Sequence, residues 1–134
     1  MKGSLKKGLT FAKSVVVDES RVIGFMGKEG AVYATPRMVS DVEHTCRDML
    51  LEHLEVGEDS VGVHVSIDHL APTPMGLAVS VEVRIVDIDR RKITWEFSVK
   101  DPLEEVGRGT HVRFVVEKAK TRERLAAKRA KAGL

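Results

Sequence analysis

Four stretches in the second half of the chain alternate residue by residue between two faces, and nothing else constrains the fold as much. In the first, Val61, Val63, Val65, Ile67 and His69 share a face. In the second, Leu77, Val79, Val81, Val83 and Ile85 lie opposite Ser80, Glu82 and Arg84. The third sets Ile93, Trp95, Phe97 and Val99 against Thr94, Glu96 and Ser98. In the fourth, Thr110, Val112, Phe114 and Val116 alternate with His111, Arg113 and Val115. Period two with one dry face and one wet face is the pattern of an antiparallel sheet. The connections agree. Segment 87–91 is short and polar, and Asp101-Pro102 is a turn-forming pair, so both suit hairpins. Pro72 and Pro74 break the chain straight after His69. An earlier strand is expected over 10–17 and a short one over 31–33, with Gly24, Gly27 and Gly30 loosening the segment between.

Before the C-terminal tail, one long segment has helical period. Over 36–54, Val39, Val42, Glu43, Cys46, Met49, Leu50 and Leu54 recur at spacings of three and four, with Asp41, His44, Asp48 and Glu52 on the other side. Thr35 as N-cap, Pro36 in the first turn and Gly57 as the stop complete the signals. One amphipathic helix against about five antiparallel strands is an α+β layer arrangement. Its curved form, a sheet wrapped around one long central helix, is the hotdog fold.

At 134 residues the chain is read as one domain over 1–117 followed by a basic helix or tail over 118–134. That tail holds seven Lys/Arg against one Glu, net +6, so the body carries −4 of the total charge of +2. A basic tail on an acidic body suits nucleic acid, an anionic membrane or a phosphorylated ligand, and its plainer reading is a solvated terminal helix. With one Trp, one Tyr and no aromatic RNA-reading motif, nucleic acid is not an expected partner. No apolar run approaches the roughly 20 residues that span a bilayer, so no membrane partner is expected either. No apolar stretch follows the first lysines as in a secretory signal, and Cys46 is the one cysteine. Both fit a reducing compartment and a cytoplasmic protein.

Three reactive side chains fall where periodicity predicts burial or a helix terminus. Thr35 heads the helix, Glu43 shares the stripe of Val39, Cys46 and Leu50, and His69 ends the Val-rich strand. A carboxylate and an imidazole buried without partners cost several kcal/mol, so a stable fold pairs them or uses them. Helix and sheet pack through these faces, which predicts that Glu43 and His69 lie close together with Thr35. Hydroxyl, carboxylate and imidazole are the groups of acyl-transfer chemistry. Each also has a plainer reading: Glu43 as an ion-pair partner of an arginine, His69 as a satisfied end-of-strand histidine, Thr35 as a cap. Cys46, in mid-helix on the dry face, reads as an inert small hydrophobe. The histidines at 44, 53, 64, 69 and 111 lack metal-ligand spacing, and no P-loop or dinucleotide fingerprint is present, so no metal or cofactor is expected.

The run Val32-Tyr33-Ala34-Thr35, then Met38-Val39, Glu43 and Cys46, resembles the fluoroacetyl-CoA thioesterase-like family of hotdog proteins. The resemblance continues through Glu58-Asp59-Ser60-Val61-Gly62, His69-Leu70-Ala71-Pro72-Thr73-Pro74-Met75-Gly76-Leu77 and Gly107-Arg108-Gly109-Thr110-His111-Val112-Arg113. It implies catalytic roles for Thr35, Glu43 and His69, a backbone contribution from Gly62 and an active-site role for Arg113. Arg113 reads equally well as the partner of a carboxylate. The resemblance further implies hydrolysis of a short acyl-CoA thioester by a homodimer with its site at or near the subunit interface. Segment 25–31 departs from the family pattern, being short and glycine-rich with one Phe, so a general short acyl-CoA is expected rather than fluoroacetyl-CoA. A non-catalytic acyl-CoA binding domain and an enoyl-CoA hydratase or dehydratase are the rival readings.

Overall fold

A computed structural model describes all of residues 1–134. Its strands are β1 (Thr10–Val16), β2 (Val22–Ile23), β3 (Val32–Tyr33), β4 (Glu58–His69), β5 (Ala78–Asp89), β6 (Lys92–Lys100) and β7 (Glu105–Glu117); its helices are α1 (Thr35–Leu51) and α2 (Lys118–Lys131). Five strands form one antiparallel sheet in the order β1-β5-β6-β7-β4, and β2 pairs with β3 in a separate ribbon.

The dry stripe of α1 is the reason the sheet curls over it. Met38, Val42, Cys46, Met49 and Leu50 are buried against Val79, Val81, Val83, Ile85, Ile93, Trp95 and Val99. Each fully buried aliphatic side chain of this kind contributes about 1.5–3 kcal/mol. This is the hotdog arrangement expected from the sequence. The helix stops at Leu51 rather than Leu54, and Gly57, at φ 92°, turns the chain into β4. The turn of the β5–β6 hairpin passes through Arg90 at φ 56°.

Two sequence expectations change. The five apolar-register residues of β4 do not share a face, because the strand is bulged between Gly62 and His64. An extra residue in a strand reverses the phase of everything beyond it. Val61 therefore pairs with Phe114 on the outer face, at 41% and 42% exposure, while Gly62 pairs with Arg113 on the inner one. Beyond the bulge, Val65, Ile67 and His69 turn inward opposite His111, Gly109 and Gly107. In β7 the inner face is His111, Arg113 and Val115, all nearly fully buried, and not the Phe114 face. The register with β6 decides this, since Trp95 pairs with His111 and Ile93 with Arg113. Gly109 is required where β7 meets β4: a Cβ there would stand 1.8 Å from the Ser66 carbonyl oxygen.

Candidate active site

The first turn of α1 is anchored by the loop before it. Asp41 accepts from Arg21 Nε and Nη2 at 3.0 Å each and from the Tyr33 hydroxyl at 2.5 Å. The Ala34 N–H donates to the Arg21 carbonyl and the Tyr33 N–H to the Thr73 carbonyl, both at 2.8 Å. Thr35 is the first helical residue, and the N-cap position belongs to Ala34, which makes no side-chain cap bond. The expected capping role of Thr35 is thus corrected. Its hydroxyl instead lies 2.7 Å from Nδ1 of His69.

His69 is placed by the end of β4, where the Leu70 N–H donates to the Val106 carbonyl at 2.8 Å. Tyr33 meets its ring edge-on at 6.4 Å between centroids. Nε2 is shielded from solvent and has no hydrogen-bond partner. Burial lowers the His69 pKa below the ordinary 6.5, the Ala71 backbone opposing it, so the imidazole favours its neutral form. The Thr35–His69 pair opens into a cleft of about 560 Å³ whose wall is mostly apolar, including Ile23, Phe25, Val32, Leu70 and Pro72. Phe25 is 88% exposed and leaves the cleft open.

Glu43 belongs to a second cluster. Its Oε2 lies 3.5 Å from Nη1 of Arg113, so the carboxylate–arginine pair anticipated as one reading of both residues is present. Arg113 is almost wholly buried and locked in place: Nε donates to Ser60 Oγ at 2.7 Å, and Nη2 to the Ser60 carbonyl at 2.9 Å. Its Nη1 also faces Nε2 of His111 at 3.3 Å. His111 Nδ1 stands 2.8 Å from the His64 carbonyl at the bulge, which can only accept. Nδ1 therefore carries the proton and Nε2 accepts from Arg113. Burial lowers the His111 pKa below 6.5, and its ring stacks on Trp95 at 6.1 Å. Burial also opposes the Arg113 charge, while Glu43 supports it. Gly62 floors this cluster. A Cβ there would come within 3.0 Å of Glu43 Oε2 and 3.4 Å of Arg113 Nη1, so any larger residue shifts the carboxylate by a few tenths of an ångström. Cys46 is buried beside the pair, and desolvation raises its pKa far above the thiol range, which keeps it a neutral thiol.

The expectation that all three reactive groups meet is fulfilled for Thr35 and His69 and not for Glu43 within one protomer. Eight helical residues separate Thr35 from Glu43, about 12 Å along the axis. Gly62, beneath Glu43, is seven strand residues from His69, about 23 Å. His111 and Ser60 were not singled out as site residues. His111 stands two residues before Arg113 and so on the same strand face, which is a readable signal; Ser60 offered none. No cluster of three or more His, Cys, Asp or Glu side chains is arranged to hold a metal ion.

Residues 17–119 match the family described as fluoroacetyl-CoA-specific thioesterase. The fluoroacetyl-CoA thioesterase of Streptantibioticus cattleyicolor is 31% identical over 95% of this chain and 99% of its own length. A solved structure of a fluoroacetyl-CoA-specific thioesterase mutant in complex with fluoroacetate and CoA superposes with a TM-score of 0.80 at 31% identity, covering 87% of this chain and 99% of that one. A thioesterase-superfamily protein from Thermus thermophilus superposes at 0.85 with 27% identity, covering 97% and 98%.

Proposed function

The chain belongs to the fluoroacetyl-CoA-specific thioesterase family and is an acyl-CoA thioester hydrolase; from that premise we propose that it cleaves short-chain acyl-CoA in the cytoplasm, using Thr35, Glu43 and His69 in a homodimer. The observation that carries this reading is the Thr35–His69 pair at the mouth of an apolar cleft, with Nε2 of a neutral imidazole free to take a proton. In this mechanism His69 holds its proton on Nδ1, toward the Thr35 hydroxyl, and the unpaired Nε2 takes a proton from the water that enters with the substrate. The water oxygen attacks the thioester carbon, the C–S bond breaks, and the proton on His69 goes to the departing thiolate. The Thr35 end of α1, with its positive dipole, and the Gly62 backbone polarise the carbonyl as it gains charge. Glu43 stands as the carboxylate that either orients the water or attacks first. An acyl-enzyme caught by mass spectrometry after rapid quenching distinguishes the two.

The homodimer supplies what one protomer lacks. β4 is an edge strand, and its run Ser60-Val61-Gly62-Val63-His64-Val65-Ser66-Ile67 has no Lys, Arg, Asp or Glu to discourage pairing. Val61 and Val63 are exposed on it at 41% and 55%. A second copy added antiparallel along β4, with the two-fold axis near Val65, brings the Gly62 end of each copy alongside the His69 end of the other. Gly62 and His69 both face the inner side, so the reversal carries Glu43 of the partner subunit toward Thr35 and His69.

The test is thiol release from acetyl-, propionyl-, hydroxybutyryl- and longer acyl-CoAs, with Glu43→Ala and His69→Ala alongside. The short esters are expected to be turned over, and each variant to lose at least a hundredfold in kcat/KM, about 2.7 kcal/mol of transition-state stabilisation. Losses under tenfold in both variants would remove the proposed catalytic roles. Binding of CoA esters without turnover would make this a binding domain instead.

A further inference from the structure

The long basic helix α2 has no task in the fold. None of its residues is buried, and of its seven cationic side chains only Lys120 has an ion-pair partner, Glu117 at 3.5 Å. Its base is fixed nonetheless, because the Lys118 N–H donates to the Gly57 carbonyl at 2.9 Å. Lys118 and Arg122 accordingly flank a cleft of about 480 Å³ beside the turn that leads into β4. Lys118, Arg122 and Arg129 recur at spacings of four and seven, which lines them up on that side of the helix.

We propose that α2 of one subunit binds the phosphates of the CoA whose thioester sits at Thr35 and His69 of the other subunit. This rests on the β4-paired dimer and on acyl-CoA as substrate. Within one protomer α2 begins beside Glu58, eleven strand residues from His69, about 36 Å away and beyond the reach of a pantetheine arm. Antiparallel pairing of β4 reverses the ends. The Glu58 end of one copy, with α2 attached, then lies just past the His69 end of the other, in the direction of the cleft mouth. The pantetheine arm spans that gap and carries three phosphate groups to a helix with unpaired cations. Exposed guanidinium and ammonium groups bind such phosphates in a salt-dependent manner.

The experiment compares acetyl-CoA with acetyl-pantetheine, which offers the same thioester without the nucleotide. A variant with Lys118, Arg122, Arg124 and Arg129 replaced by Gln keeps helix-forming side chains and leaves the proposed catalytic residues intact. For acetyl-CoA its KM is expected to rise at least tenfold with kcat unchanged, and the salt dependence of KM to flatten; for acetyl-pantetheine both constants stay as in the unmodified enzyme. A heterodimer of this variant with a differently tagged His69→Ala subunit has one working site, faced by an unmodified α2. Its KM for acetyl-CoA is expected to return to the unmodified value. An unchanged KM in the four-Gln homodimer, an equal rise for both substrates, or a heterodimer that keeps the high KM overturns the proposal. Calorimetric titration with CoA separates this from the functional reading: should the unmodified enzyme hydrolyse neither substrate, that reading fails, while a tenfold weaker CoA affinity in the four-Gln variant still supports the α2 site and an unchanged affinity still rejects it.

Discussion

Gly62 and Thr35 show how single positions separate stability from chemistry. Gly62 is defined by what it leaves room for, since a Cβ would stand 3.0 Å from the Glu43 carboxylate. Alanine in a strand is otherwise favoured over glycine by about 0.5–1 kcal/mol. Gly62→Ala is therefore expected to hold or raise the melting temperature while lowering kcat/KM more than tenfold, measured by calorimetry and thiol release on one preparation. Thr35→Ala follows from the corrected cap. A true N-cap threonine costs about 1 kcal/mol when truncated, but here Ala34 holds that position and the hydroxyl bonds His69. Urea unfolding should thus show a loss well below 1 kcal/mol, together with a clear fall in kcat. The residue types at 35, 43 and 69 were legible from the chain, because each put a reactive group at a patterned position. Their company was not: Glu43 meets Arg113 over Gly62, and Arg113 is in turn held by Ser60 and His111, so the cluster draws on two strands that no local pattern joins to the helix.

Among the elements, β4 carries the most consequence. Its bulge turns Val61 outward and Val65, Ile67 and His69 inward, so one strand offers the floor beneath Glu43 and the base beside Thr35. Its free edge is the proposed subunit contact. Val63 is 55% exposed in the protomer, so Val63→Lys leaves the folded core untouched and places a charge on that edge. The expected outcome is a folded monomer by sedimentation, with activity lost in parallel because the Glu43 of the partner subunit is withdrawn. A dimer that persists in this variant would place the contact elsewhere. The period-two signal identified β4 as a strand but not its phase, since a bulge is set by hydrogen bonds to β7 rather than by the composition of β4. For β7 the pattern misled. Phe114 has the look of a core residue, yet the register with β6 turns His111 and Arg113 inward, where they bond one another, His111 the His64 carbonyl and Arg113 Ser60.

The pH response is a property of the whole molecule. Burial depresses both His69 and His111 below 6.5, so the unfolded chain takes up these protons before the native one does. The unfolded state then binds more protons, and stability falls as pH drops from 6.5 through the folded pKa values; above 6.5 neither imidazole adds any slope. Charging His111 would also set it against Arg113, with Glu43 and His64 the other ionisable groups nearby. His111→Phe preserves a ring against Trp95 and should flatten the stability–pH curve below 6.5, measured by urea unfolding at several pH values. Nearer pH 4 the depressed carboxyls of Glu58 and Asp59 take over, and their contribution is lost as pH falls through their folded values. What the sequence determined by itself was local: which segments are strands, where the helix runs, and which side chains carry chemistry. Those follow from periodicities of two and 3.6 that need only neighbouring residues. Tertiary structure alone decided which faces turn inward, which groups bond, and that one protomer holds Thr35 and His69 apart from Glu43. Register and bulges are fixed by hydrogen bonds between strands distant along the chain, and no pattern within a single segment encodes them.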